Sequence, residues 1–305
     1  MLTVEDLVIV VYCVVDDLLK DVQANLLGGE PWRKGGFAPA VSDAEVLTMV
    51  LVGEFLEMDK DKQIHKFFQQ PSWRGFFPKL QRTRTTFVRQ AANLWALLEP
   101  MQAALAKELG AFDDDTHIVD GLPIAVCKLV RAARTKLFRG VASFGYCATK
   151  KEYYYGFHGH ALISFHGILT AFTVTAAHEA ERETVWDLVE SIKGWLLGDK
   201  GYISSYLKQN LKNHDINLWT ALRKNMTSEP GRSLVLDRLC MTVRRRIETV
   251  IGQLAERFHI EKVRARDMWH FTARIRRNIL SHTIAVWVAK QLGIDPLHHA
   301  AILGK

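Results

Sequence analysis

The eight residues Trp195-Leu-Leu-Gly-Asp-Lys-Gly-Tyr202 constrain this chain more than any other stretch. They predict a short buried strand, Trp195 to Leu197, that breaks at Gly198 and delivers one carboxylate, Asp199, at its end. Lys200 and Gly201 turn the chain, and Tyr202 opens a helix. A carboxylate held where a strand ends at a glycine turn is the usual place for chemistry in an α/β fold. Two further acids are candidate partners. Asp120 ends the apolar run Thr116-His-Ile-Val119, and Glu248 lies in a basic helix predicted over 243–251. Seventy-eight residues separate Asp120 from Asp199, and 48 separate Asp199 from Glu248.

Taken singly, each acid also has a purely structural reading. An Asp at a strand end caps a turn, and a Glu in an arginine-rich helix pairs with Arg244 or Arg245, four and three residues before it. Taken together, three carboxylates on two strands and a helix suit magnesium. This ion prefers hard oxygen ligands, keeps several waters and needs few protein groups.

The rest of the chain frames these acids. Residues 1–110 read as helical. Ser42 and Glu45 form a capping box for a helix with apolar positions Val46, Leu47, Val50, Leu51 and Phe55. A second helix is expected over about 60–70. Phe67, Phe68, Trp73, Phe76 and Phe77 follow as core residues, and a third helix starts near Thr85 and carries Phe87, Leu94, Trp95 and Leu98. Arg82 and Arg84 precede that helix and Arg89 lies in its first turns, as in a helix-turn-helix reader of DNA. From Asp113 the pattern changes to strands: 116–127 with a kink at Gly121-Leu-Pro123, then 153–165 and 168–176. An amphipathic helix over 181–192 follows, with Val185, Leu188, Val189 and Ile192 on one face. The strand to Gly198, a helix over 204–213, a strand over 216–222 and a polar loop over 223–237 precede basic helices from 239 to 290. Three strands, helix, strand, helix, strand and long helix is the order of an RNase-H-like mixed sheet.

Charge points the same way. The 305 residues carry a formal net charge of +7, a lean toward polyanions. Between the first two strands Lys128, Arg131, Arg134, Lys136, Arg139, Lys150 and Lys151 occur with no intervening acid. Such residues neutralise phosphates and supply much of nucleic-acid affinity. His158 and His160 alternate on a strand and so share a face. The four cysteines form no C-x-x-C pair and read as free thiols. The apolar run Leu7–Val15 is too short to span a bilayer and is flanked by acids, so the expectation is a cytoplasmic protein with no membrane partner.

Five phrases occur in a fixed order: IVDGLPI, YYYGFHGHALIS, TVTAAHEAER, LLGDKGY and RRRIETVIGQLAERFHI followed by RARDMWHFTARIRRNILSH. With the leader SDAEVLTMVLVGEFLEMDKDK, that order resembles the DDE transposases of bacterial insertion sequences, specifically the insertion-sequence 982 family. The resemblance covers nearly the whole chain. It implies an α/β, RNase-H-like catalytic core over 111–260, a helical DNA-binding domain over 1–110 and a basic helical extension over 261–305. It places the catalytic, metal-binding acids at Asp120, Asp199 and Glu248, holding two Mg²⁺ ions for which Mn²⁺ substitutes. The expected partner is double-stranded DNA, both the element's terminal inverted repeats and the target, cut and joined by a homodimer. Lys200, Arg244 and Arg245 are added to the phosphate contacts. Some related transposases carry a tyrosine before the arginine matched by Arg244 and a lysine after the glutamate; here Met241 and Ala255 stand there. His178-Glu179 falls where the family has a His with an acidic neighbour. A nuclease that cuts without joining, and an idle DNA-binding regulator, are the alternatives.

Overall fold

The computed structural model of the chain describes residues 1–30, 32, 35, 37–80, 83–147, 150–222 and 234–303. The chain divides into two compact units, residues 1–105 with 253–305, and residues 106–252. Arg82 and residues 223–233 of the expected loop lie outside the described residues.

Five helices open the chain: α1 (Val4–Leu27), α2 (Asp43–Phe55), α3 (Asp61–Phe68), α4 (Arg84–Asn93) and α5 (Trp95–Glu108). The α1 and α2 N-termini carry reciprocal capping boxes, Thr3 with Asp6 and Ser42 with Glu45. α2 is apolar on every side and, from Ala44 on, mostly buried, as a central helix must be. Phe68, Trp73 and Phe77 are buried, in agreement with the core role expected of them, and Phe67 packs on them half-buried; Phe76 touches the same ring cluster but is exposed, which corrects its expected core role. The third predicted helix is two. The backbone tightens at Leu94, where Leu97 N–H donates to the Leu94 carbonyl three residues back, and α5 starts at Trp95.

The second unit begins with β1 (Thr116–Lys128), a four-residue turn of helix α6 (Leu129–Ala132), β2 (Ser143–Cys147), β3 (Glu152–Ser164) and β4 (Leu169–Ala176). It continues with α7 (Glu181–Thr184), β5 (Gly194–Gly198), α8 (Ser205–Lys212), β6 (Ile216–Thr220) and α9 (Leu234–Glu256). β3 pairs antiparallel with β1, and also with β2 near its start and β4 near its end. β5 and β6 run parallel to β1 on its other side, giving a mixed sheet. β5 pairs only with Thr116–Ile118, which leaves the second edge of β1 open beyond that point. Pro123 is compatible with such a strand, as it would not be with a fully paired one.

The predicted helix over 181–192 is corrected. α7 ends at Thr184, a 3₁₀ turn covers Val185–Asp187, and the chain then bends. Val185, Leu188, Val189 and Ile192 are nonetheless all buried beside Leu196, Leu207 and Leu211. Three-residue spacing points inward in a 3₁₀ turn as well as in an α-helix, so the pattern could not separate them. Residues 234–237, expected in the loop, are already helical. α9 is tied to the sheet by Asp237 accepting from Trp219 Nε1 at 2.9 Å and by Arg246 donating to the Phe165 carbonyl, its guanidinium 4.2 Å from the Phe165 ring centre.

α10 (Met268–Gln291) returns to the first unit and packs on α2 and α4. The residues expected as a basic extension therefore share a core with the N-terminal helices. Glu54 is fully buried there, with Arg277 Nη2 2.5 Å away and Arg274 Nη2 at 3.9 Å, and Arg277 also meets Asp61 at 2.9 Å. All four cysteines are free. Among the described residues no helix is long and apolar enough to cross a membrane.

Candidate active site

The parallel pairing of β1 with β5 sets Ile118 opposite Leu197. Asp120 and Asp199 each lie two residues further along, so Asp199, just past the end of β5, stands level with Asp120 inside β1. Asp199 caps the 3₁₀ turn Lys200–Tyr202, its Oδ1 accepting from Gly201 N–H at 2.6 Å. Asp120 Oδ1 accepts from Gly121 N–H at 2.8 Å, and its Oδ2 lies 3.4 Å from Arg244 Nη2 on α9. Burial pushes the Asp120 carboxyl above its ordinary range and the Asp199 charge adds to this. The Gly121 amide and Arg244 oppose the rise without cancelling it.

A third carboxylate reaches this place from α7. Glu181 is pushed up to about 7, by burial first and then by the charges of Asp199 and Asp120. Its Oε1 lies 3.5 Å from His158 Nε2, a distance at which an ion pair can form. Burial, however, lowers His158 while it raises Glu181, so both neutral forms are favoured and the contact is not a salt bridge. The His158 ring stacks on His160 at 4.8 Å, as their shared strand face requires, and burial with the His158 charge drives His160 down to about 3. Tyr202 is fully buried and its hydroxyl has no hydrogen-bond partner; Arg244 Nε and His158 Nε2 are likewise unpartnered. Among the described residues no three His, Cys, Asp or Glu side chains stand close enough together to hold an ion. The hard carboxylate oxygens of Asp120, Asp199 and Glu181 are nevertheless of the kind that suits a hydrated divalent cation, which needs few protein groups.

A family model described as a transposase DDE domain matches residues 111–268, more than half of the chain. The chain belongs to the DDE transposase family. A cryo-electron microscopy structure of a piggyBac transposase synaptic complex with hairpin DNA is similar at 9% identity, covering 99% of this chain and 78% of that one with a TM-score of 0.47. No curated protein matches the sequence.

In this transposase the structure brings Asp120 and Asp199 together. Glu248 is exposed on α9, one turn past Arg244, and does not complete a three-ligand set with them. Side chains on a helix tilt toward its N-terminus, so Glu248 leans toward the turn that carries Arg244. Arg84 and Arg89 are exposed on α4. Lys128, Arg131, Arg134, Lys136, Arg139, Lys150, Lys151, Lys200 and Arg245 are exposed in the second unit, with Lys128 3.8 Å from Glu152. Arg244 is engaged with Asp120 instead of standing in solvent. His178 turns to Ser143, its Nδ1 2.8 Å from that hydroxyl, and the acid that approaches the aspartates is Glu181, two residues beyond Glu179. Sequence alone marks Glu181 only as the first residue of a helix. The available signal is an acid five residues past the end of β4, at the first position of α7.

Proposed function

We propose that this DDE transposase, of the bacterial insertion-sequence 982 type, binds the terminal inverted repeats of its element and performs DNA cleavage and strand transfer on an RNase-H-like core. The observation that carries the reading is the placement of Asp120 and Asp199 side by side on adjacent parallel strands, with Arg244 in contact with Asp120. Asp120, Asp199 and, from α9, Glu248 are the residues that would hold two Mg²⁺ or Mn²⁺ ions. When bound, such ions supply positive charge to an attacking and a departing oxygen in an in-line phosphoryl displacement. Arg244 orients Asp120 and limits the repulsion between the two aspartates. Lys200, Arg245 and the exposed cations of 128–151 bind DNA phosphates and hold the scissile bond in line, which is where most of the rate comes from when side chains do no covalent chemistry. Residues 1–110, with Arg84 and Arg89, read the repeats, and two copies acting on two ends make a homodimer.

The test is cleavage and joining of labelled element-end DNA with Mg²⁺ by the wild type and by Asp120→Ala, Asp199→Ala and Glu248→Ala. Loss of cutting with retained DNA binding in all three is expected. Cutting that survives one substitution removes that residue from the triad. Cut ends that are never joined indicate a nuclease, and a wild type that binds without cutting indicates a regulator.

A further inference from the structure

Asp120 and Asp199 have a neighbour that the Asp-Asp-Glu assignment omits. The Glu181 carboxylate lies over two glycines, one beside each aspartate. A Cβ on Gly201 would come under 3.0 Å from both Glu181 Oε2 and Asp199 Oδ1, and one on Gly121 would overlap His158 Nε2 and lie 3.3 Å from Glu181 Oε1. Any side chain at Gly201 would fill the space in which these two carboxylates face each other. Neither glycine has the positive φ that would otherwise explain its presence.

A buried polar group lies in the same neighbourhood. Tyr202 is fully buried, with Leu207, Leu211 and Val185 in the same core, and its hydroxyl finds no acceptor. After burial, the charges that bear on that hydroxyl are those of Glu181, Asp120, Asp199 and Arg244. A buried hydroxyl with no partner costs free energy unless something else accepts from it. Arg244 is the cation in contact with Asp120.

We propose that Glu181 is a cation ligand of this centre, binding a divalent metal ion jointly with Asp199. The inference rests on the reading of Asp120 and Asp199 as the metal-holding aspartates and adds to it a residue outside the triad. Glu181 is then fixed by the start of α7 on one side of the site, while Glu248 approaches from α9.

The experiment is a Mn²⁺ titration of the full-length protein without DNA, following the loss of the free-ion electron paramagnetic resonance signal. The variants are Glu181→Gln, Glu181→Asp, Asp199→Asn and, as a control on the exposed side of the same turn, Glu183→Gln. Glu181→Gln is expected to weaken Mn²⁺ binding at least about tenfold, the scale on which groups around a metal act. Glu181→Asp keeps the charge with a shorter reach and should fall between, and Glu183→Gln should bind as the wild type does. If Asp199→Asn loses Mn²⁺ while both Glu181 variants bind normally, Glu181 is not a ligand and the functional reading stands. If neither Asp199→Asn nor Glu181→Gln changes binding, the functional reading falls and takes this inference with it. Glu181→Asp is the safeguard should the glutamine variant misfold.

Discussion

The two units each bury a cluster of charges, and the clusters are built on opposite principles. In the helical unit Glu54 and Asp61 face Arg274 and Arg277, acid matched to base. Burial raises Asp61, but Arg277 and then Arg274 outweigh it and hold its carboxyl below the ordinary range. Burial likewise lowers Arg277, and Glu54 and Asp61 overturn that. In the sheet unit Asp120, Asp199 and Glu181 have Arg244 among them, and the result is reversed: Asp120 and Glu181 are both pushed up. A complete set of charges is structural. A set of three acids with one arginine in contact holds those acids at a cost to stability, which a bound cation would relieve.

The comparison is broken most directly at Arg277. Arg277→Met would leave Glu54 fully buried with its nearer partner gone and Arg274 3.9 Å away. Removing one member of a buried pair costs roughly 3–5 kcal/mol, and urea unfolding of the variant should show a loss of that order. A loss under about 1 kcal/mol, the range of exposed pairs, would mean that the helical cluster is not held by its charges.

The reverse sign is expected in the sheet unit. Glu181 titrates near 4.5 when unfolded and at about 7 when folded, so folding favours its protonated form. Below about pH 4.5 both states are protonated and no penalty arises. As pH rises toward 7 the unfolded chain ionises first, and stability falls until the folded pKa is passed. Glu181→Gln removes that penalty. With EDTA present at pH 8 it should stabilise the protein by roughly 3–4 kcal/mol, because each tenfold gain in proton affinity on folding is worth about 1.4 kcal/mol, and at pH 4 it should be neutral. Melting temperatures at the two pH values check this. Equal melting of wild type and variant at pH 8 would show that the acids do not repel one another.

These contrasts explain what the sequence can disclose. Asp120 and Asp199 are legible because each closes an apolar run and has a glycine close by, although β1 continues past Asp120 to Lys128. Their adjacency follows from parallel pairing of β1 with β5, which strand order suggests. Glu181 is hidden because its approach depends on where β4 releases the chain and on vacant space at Gly121 and Gly201, both long-range facts. β2 reads only as part of a basic hairpin, since five residues amid lysines and arginines carry too little alternation. Nor does local periodicity say which core a basic amphipathic helix joins, so the packing of α10 on α2 lies beyond it.

The smallest stability effect should come with a large functional one, at Glu248. It is exposed on α9, and its neighbours on the inner face, Ile247 and Val250, are fully buried. Glu248→Gln should therefore change unfolding free energy by less than about 0.5 kcal/mol, as surface substitutions do. If Glu248 is a metal-holding acid, the same change should cut DNA cleavage by more than about 100-fold, beyond what loss of a group behind the ligands causes. The two readouts together sort the acids. A residue that is silent in unfolding and essential in cleavage meets its charge partner only when substrate and metal are bound, whereas Glu181 should register in both. Should Glu248→Gln prove silent in cleavage as well, the third acid of this transposase would have to be sought on α7, at Glu181, and not on α9.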